Sequence, residues 1–228
     1  MSTLPESQRV LAGATEPAKV PEARSSRLWT FIGVVVLAVA VLVAVVVLIS
    51  RSQEPAYVYH GGVFSPANPA APLNLTDMNG QPFSLDQLKG DVALVYFGYT
   101  TCPDVCPTTL TDFQAVKDDL GPNADRVKFV MVTIDPERDT EAKLKEYLAF
   151  FDPEFIGVRG DAAQTEQFKQ DYGITVKRVE YPDSATRYLL DHSALVYVID
   201  PEGRLLLTFP YGTDPALIAQ DVKHLLGA

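Results

Sequence analysis

An uninterrupted run of 22 uncharged, almost wholly apolar residues, from Leu28 to Ile49, constrains the fold of this chain more than any other feature. At about 1.5 Å per residue, a helix of this length spans the roughly 30 Å hydrocarbon core of a bilayer. The run is too long for the apolar part of a secretory signal, about 7–15 residues, and no small-residue cleavage site follows it. Trp29 lies near one end, where an interfacial aromatic residue belongs. We therefore predict a retained transmembrane anchor over residues 28–50 and not a buried core helix.

Basic residues lie mostly on the N-terminal side of this segment. Four precede it, whereas Arg51 alone follows it before Lys89. By the positive-inside rule, residues 1–27 are expected in the cytoplasm and the rest of the chain outside the cell (inner) membrane, in the periplasm or its equivalent. Residues 1–27 are also rich in Ala, Pro, Glu and Ser, which predicts a disordered tail.

The part of the chain beyond the anchor divides into a linker and a domain. Residues 51–72 contain four prolines and a Gly-Gly pair, which predicts an extended linker, and residues 73–228 have the pattern of a folded domain. Residues 52–228 hold 14 basic and 26 acidic side chains, a net charge of −12. Such an acidic surface argues against a nucleic-acid partner.

Strands and helices alternate along residues 73–228. The segment Asp91–Gly98 is almost continuously apolar, which is typical of a strand buried on both faces. A helix is expected from Pro107 to Leu120, and a second buried strand over Lys128–Asp135. The other predicted elements are a hairpin over 73–85, a helix over 139–150 capped by Thr140, a strand over 156–158, a helix over 165–172, a hairpin over 194–209 and a last helix capped by Thr213 or Asp214. This order predicts an α/β domain with a thioredoxin-like fold.

Both cysteines of the chain lie in the segment Cys102-Pro103-Asp104-Val105-Cys106-Pro107, between the first buried strand and the first helix. A thiol near a helix N-terminus has a lowered pKa, and the thiolate serves both disulfide exchange and metal ligation. A permanent structural disulfide is the alternative, although so short a loop gains little entropic stabilisation. Pro107 is expected at the first helical position.

His192 is the histidine best placed to join the cysteines. It enters the predicted strand Ala194–Ile199, at the mouth of the sheet where the cysteine loop also emerges. His60 lies in the predicted linker and His224 on the polar side of the last helix, so both are expected to be solvated. A single histidine in such a place is more often structural, but a cysteine pair beside it favours a functional role.

The sequence resembles the SCO1/SenC family of copper-binding cytochrome oxidase assembly proteins. The segments that carry the resemblance are 102–107, 133–140 (Thr-Ile-Asp-Pro-Glu-Arg-Asp-Thr) and 191–193, and it covers about residues 62–228. It implies that Cys102, Cys106 and His192 bind copper as Cu(I) or Cu(II), and that the two cysteines can form a redox-active disulfide. It also implies delivery of copper to the dinuclear copper site of an oxidase subunit, or reduction of that site. A copper donor chaperone and a thiol reductant are the further partners expected.

The donor set agrees with that implication. Two thiolates suit Cu(I), and an added imidazole allows Cu(II), whereas structural zinc sites usually have a fourth protein ligand. Asp104, Asp135 and Asp191 are candidates to orient His192 or to tune the thiolates. For Asp135 the alternative is a turn or capping role ahead of Pro136.

Other functions of a paired-cysteine α/β domain stay open. One is a pure thiol–disulfide oxidoreductase, and another is a redox or copper sensor. The C-x-x-x-C spacing is one residue longer than in thioredoxin, and Asp191-His192-Ser193 stands where thioredoxin-like redox enzymes carry a cis-proline. A thiol peroxidase of the peroxiredoxin type would have Thr three residues before its cysteine, where this chain has Tyr99. A passive scaffold would not require the three ligands.

Overall fold

A computed structural model describes residues 25–51 and 57–227 of the 228-residue chain. Nearly all of the predicted tail, residues 1–24, lies outside the described residues, as does part of the predicted linker, residues 52–56. The described residues divide into two units, the first ending at residue 57 and the second beginning at residue 58.

The first unit contains one long helix, α1, which runs from Ser25 to Arg51. Its stretch Leu28–Leu48 is long and apolar enough to cross a membrane, and its side chains are exposed. An exposed apolar surface of this length is costly in water and favourable in hydrocarbon. The helix therefore supports membrane anchoring.

The second unit is built on a mixed sheet of eight strands. These strands are β1 Gly62–Pro69, β2 Leu75–Asp77, β3 Pro82–Phe83, β4 Val92–Gly98, β5 Val127–Thr133, β6 Ile156–Arg159, β9 Leu195–Ile199 and β10 Arg204–Pro210. Their order in the sheet is β1-β10-β9-β4-β5-β6-β2-β3. The three strands β4, β5 and β6 are parallel, and β9 runs antiparallel to β4.

Four α-helices accompany this sheet: α2 Val105–Leu120, α3 Glu141–Ala149, α4 Ala162–Asp171 and α5 Pro215–Leu225. Thr140 caps α3 by accepting the N–H of Lys143, and Asp214 caps α5, as predicted. Helix α2 begins two residues earlier than predicted, so Pro107 is its third residue and not its first. Proline is tolerated there because the first four N–H groups of a helix have no partner within it.

The central strand β4 determines where the site forms. All seven of its residues are buried, as the apolar run predicted. Because β4 and β5 are parallel, their carboxyl ends meet at the same edge of the sheet. The cysteine loop follows β4 at that edge, and residues 133–140 follow β5.

A second, two-stranded sheet carries the histidine. Its strands, β7 Val176–Tyr181 and β8 Arg187–His192, pair antiparallel with each other and not with the eight-stranded sheet. No element was predicted between residues 173 and 193 from the sequence. The reason is physical: both strands are largely charged or half-exposed, so they lack the apolar alternation that indicates a strand. His192 therefore ends a strand and does not open the next one.

The folded unit begins well before residue 73, where we predicted it to begin. Residues 62–69 of the predicted linker form β1, an edge strand, where proline is tolerated because one side of the strand needs no hydrogen bonds. His60 was expected to be solvated, and its side chain is 35% exposed. Its Nδ1 nevertheless lies 2.8 Å from Oδ1 of the fully buried Asp221, whose other oxygen accepts the backbone N–H groups of His60 and Gly61.

Candidate metal site

The loop between β4 and α2 places the two thiols at the start of the helix. Cys102 is partly exposed and Cys106 is buried, and both are free. The Sγ of Cys102 accepts the backbone N–H of Cys106 at 3.4 Å. Asp104 occupies the N-cap position but makes no side-chain capping bond. The sulfur of Cys102 therefore performs the capping role that an N-cap side chain usually has, and it lies at the positive end of α2.

Strand β4 packs against Cys106 through Tyr96 and Gly98. The phenol of Tyr96 donates a hydrogen bond to Sγ of Cys106 at 3.3 Å. A Cβ at Gly98 would lie 3.1 Å from that sulfur and 2.6 Å from the ring of Tyr96. A side chain at position 98 would thus push the Tyr96 ring and the Cys106 thiol away from the strand. The close packing of Cys106 against β4 therefore depends on glycine at this position.

His192 approaches the same sulfur from strand β8. Its Nε2 lies 3.9 Å from Sγ of Cys106, and its Nδ1 lies 2.9 Å from the carbonyl oxygen of Ser193. A carbonyl can only accept, so Nδ1 carries the proton of the neutral ring and Nε2 presents its lone pair toward the thiols. The ring is flanked by Tyr96 and Tyr99, with centroids 6.2 and 6.0 Å away.

The separation of sulfur and nitrogen allows one metal ion to bind both. Typical metal–sulfur and metal–nitrogen bonds are about 2.3 Å and 2.0 Å, so donors 3.9 Å apart can share an ion. Cys102 and His192 line one open cavity of about 270 Å³ beside Asp191. Across the described residues, no group of three or more His, Cys, Asp or Glu side chains is arranged so that it could hold a metal ion. Binding of one ion by both thiols and the imidazole would therefore require these side chains to move closer together.

The two thiols have opposite electrostatic environments. The pKa of Cys102 is lowered to about 5, mainly by a hydrogen bond from the Cys106 thiol, with help from the N–H groups of Asp104 and Cys106. The pKa of Cys106 is raised by that same hydrogen bond to Cys102 and by burial. Cys102 is therefore the thiolate near neutral pH, and Cys106 is the proton donor to it.

None of the three candidate aspartates contacts His192 or a thiol through its side chain in the described structure. Asp104 and Asp191 are exposed, the second beside the cavity. Asp135 is buried, and it accepts hydrogen bonds from Arg138 at 2.6 Å and from the phenol of Tyr188 at 2.7 Å. The group that orients the imidazole is a backbone carbonyl.

Three side chains at the site were not predicted from the sequence to take part in it. Tyr96 donates to Cys106, Tyr99 accepts the N–H of Leu190 with its phenol oxygen, and the buried Asp139 accepts the N–H and hydroxyl of Thr100. The two tyrosines lie in and just after an apolar strand, where burial alone explains an aromatic residue. Asp139 could have been found, because it lies in the 133–140 segment that we singled out.

Comparison with known proteins places the same segments in one family. The family model described as SCO1/SenC matches residues 65–227. An SCO2-like protein of Rickettsia felis is 39% identical over 151 residues, which cover 66% of this chain and 74% of that protein. A putative copper-binding protein of Stutzerimonas stutzeri is 35% identical over 134 residues, covering 58% of this chain and 65% of that protein.

A solved structure agrees with the fold. The copper-bound structure of ScoI from Bradyrhizobium japonicum superposes with a TM-score of 0.63 at 39% sequence identity, covering 69% of this chain and 99% of that one. The mixed sheet described above is thus that of thioredoxin-like Sco structures, which confirms the predicted fold class.

Proposed function

The chain belongs to the SCO1/SenC family, and on that premise we propose that it carries copper for the assembly of cytochrome c oxidase. Sco homologues are copper-binding proteins that take part in this assembly. In the proposal, Cys102, Cys106 and His192 bind one copper ion as cargo. The recipient is the dinuclear copper site of an oxidase subunit.

The observation that carries this proposal is the meeting of the two thiols with one oriented imidazole. They come from different elements, the loop and first turn of α2 and the end of β8, yet Cys106 and His192 lie 3.9 Å apart. Thiolates favour Cu(I), and an imidazole nitrogen adds a ligand that Cu(II) prefers. One protein can thus hold both oxidation states, with the two sulfurs common to both.

The unequal exposure of the sulfurs suggests how the ion leaves. Cys102 lies at the open cavity, whereas Cys106 is covered by Tyr96. An incoming thiolate of the partner would replace Cys102 first, while Cys106 still holds the ion. Ligand exchange of this kind moves copper without any change of oxidation state.

A second function, reduction of the partner's cysteines, is favoured by the lowered pKa of Cys102. A reactive thiolate paired with a protonated, buried thiol is the arrangement that disulfide exchange needs. The Cys102 thiolate would attack the partner's disulfide and release one thiolate. Cys106, after losing its proton, would attack Cys102 and release the second. The partner gains two electrons, and the protein is left with a Cys102–Cys106 disulfide.

We propose further that residues 52–228 face the periplasm or its equivalent, with a copper donor chaperone and a thiol reductant as additional partners. The excess of basic residues before α1 supports this orientation. A reporter that is active only outside the cytoplasm, fused after Ala228, should be active. Activity of a cytoplasmic reporter at the same position would contradict the orientation.

Competition titration with Cu(I) and Cu(II) tests the proposed function. The sample is the reduced second unit, residues 58–228, which we call the outer domain. We expect one ion per domain, loss of both states in Cys102→Ser, and selective loss of Cu(II) in His192→Ala, because two thiolates still hold Cu(I). His224→Ala, a change of an exposed histidine on α5, is the matched control and should bind normally. A thiolate-to-Cu(II) absorption band that persists in Cys102→Ser would refute the ligand assignment.

A further inference from the structure

The strand that carries His192 depends on side-chain contacts for its position. Hydrogen-bond ladders join β7 and β8 to each other and not to the eight-stranded sheet that carries the cysteines. Nothing in a ladder therefore fixes the distance between the imidazole and the thiols. The short connection from His192 to β9, together with contacts from elsewhere in the domain, must do so.

Arg138, in the loop between β5 and α3, makes such a contact. Its Nη1 donates to the carbonyl oxygens of Thr186 and Tyr188 at 2.8 and 2.9 Å. Its guanidinium also stacks on the ring of Tyr188, 3.5 Å from the centroid. Two backbone carbonyls and one ring face are thus held by a single planar cation, which a lysine could not reproduce.

Asp135 holds Arg138 and β8 together. One of its oxygens accepts Nε of Arg138 at 2.6 Å, and the other accepts the phenol of Tyr188 at 2.7 Å. The carboxylate is only 3% exposed, so these bonds are made away from competing water. Arg138, Asp135 and Tyr188 form a closed set of contacts between the loop and the strand.

The strand transmits this contact to the imidazole. Side chains alternate along a strand, so Tyr188, Leu190 and His192 lie on one face of β8. The phenol oxygen of Tyr99, which lies just ahead of the cysteine loop, accepts the N–H of Leu190 at 3.1 Å. The loop between β5 and α3, which carries Arg138, also holds the cysteine loop, because its buried Asp139 accepts the N–H of Thr100 at 3.0 Å. Residues 133–140 thus hold both halves of the site.

We propose that Arg138 is a positioning residue that keeps His192 within reach of a thiol-bound copper ion and thereby sets the preference between Cu(II) and Cu(I). The inference rests on the proposed function, because it concerns the same ion. Cu(I) needs only the two sulfurs, which Arg138 does not touch, whereas Cu(II) needs the imidazole. Loosening β8 should therefore weaken Cu(II) alone.

The test compares Arg138→Lys and Tyr188→Phe with Arg126→Lys. Arg138→Lys keeps a cation beside Asp135, and Tyr188→Phe removes only one hydroxyl, so at least one of the two retains the fold. Arg126 also donates to a backbone carbonyl, that of Leu226, but does not contact β8, which makes it the matched control. We expect Arg138→Lys to lose about tenfold in Cu(II) affinity with Cu(I) affinity unchanged, which raises the potential of the bound ion by about 59 mV. Tyr188→Phe should shift in the same direction by less, and Arg126→Lys should not shift.

Hydrogen exchange of the copper-free domain supplies a second measurement. In Arg138→Lys, amides of residues 187–192 should exchange faster, while those of α2 should keep their protection. Equal loss of both oxidation states, or unchanged Cu(II) affinity with unchanged exchange, would overturn the inference. If the unaltered domain bound no copper, the proposed function would fail, and the exchange measurement would still decide whether Arg138 holds β8.

Discussion

The phenol of Tyr96 should control how easily the two cysteines are oxidised. Its hydrogen bond to Cys106 is buried and 3.3 Å long, and it stabilises the dithiol because a disulfide sulfur is a poorer acceptor. A buried hydrogen bond contributes about 0.5–1.5 kcal/mol, and 1.4 kcal/mol corresponds to about 30 mV for a two-electron couple. Tyr96→Phe removes this contribution from the reduced form only. The potential of the Cys102–Cys106 couple should therefore become more negative by about 10–30 mV.

Equilibration with glutathione buffers, followed by alkylation and mass analysis, measures this shift. Tyr197→Phe is the matched control, since its phenol also forms a buried hydrogen bond, to the carbonyl of Tyr172 at 2.8 Å, but away from the thiols. It should lose a similar amount of stability with no change in potential. A Tyr96→Phe domain with an unchanged potential, or one shifted only as much as the control, would refute the assignment.

Three further predictions concern the same loop. Alkylation of Cys102, followed by mass spectrometry, should be half-maximal near pH 5, and a half-maximum near the ordinary value of about 8.5 would contradict this. Because the pKa of Cys102 is lowered in the folded state, the stability that its thiolate adds should be complete above about pH 8.5, decline as the pH falls, and be lost by about pH 5. Asp139→Asn should lower the free energy of unfolding by about 1–3 kcal/mol in denaturant titrations, because one of the two oxygens that accept hydrogen bonds from Thr100 is lost. Asp183→Asn, the same change at an exposed position, should leave the free energy of unfolding unchanged. A domain oxidised to the Cys102–Cys106 disulfide should take up no copper until it is reduced, and equal binding by the oxidised form would show that the cysteines are not ligands.

The sequence predicted the parts of the fold whose burial leaves a local pattern. Strand β4 was evident from its unbroken apolar run, and the Thr140 cap of α3 from a hydroxyl ahead of a charged helix. The placement of the two cysteines at the junction of β4 and α2 followed from these elements, although Cys106 lies in the first turn of α2 and not before the helix. The approach of His192 to them was inferred from its position before an apolar strand, although it ends the preceding one.

The missed features depend on contacts between distant parts of the chain. The hairpin β7–β8 is held by Arg138, which is 50 residues from Tyr188 in sequence and whose role no local pattern indicates. His60 was expected in solvent because it lies in the predicted linker; it is partly exposed, but it also pairs with Asp221, 161 residues away. The hydrogen bond from Tyr96 to Cys106 spans only ten residues, but no local pattern indicates it either, because burial alone would explain that tyrosine.

X-ray absorption at the copper edge of the loaded outer domain tests the central claim most directly, because it counts the atoms bound to the ion. With Cu(II), we predict two sulfur scatterers and one imidazole nitrogen among the ligands. With Cu(I), both sulfurs should remain. His192→Ala should keep both sulfurs of the Cu(I) form and lose Cu(II), and Cys106→Ser should bind neither oxidation state. A set of bound atoms made up of nitrogen and oxygen alone, or one that Cys106→Ser leaves unchanged, would contradict the account.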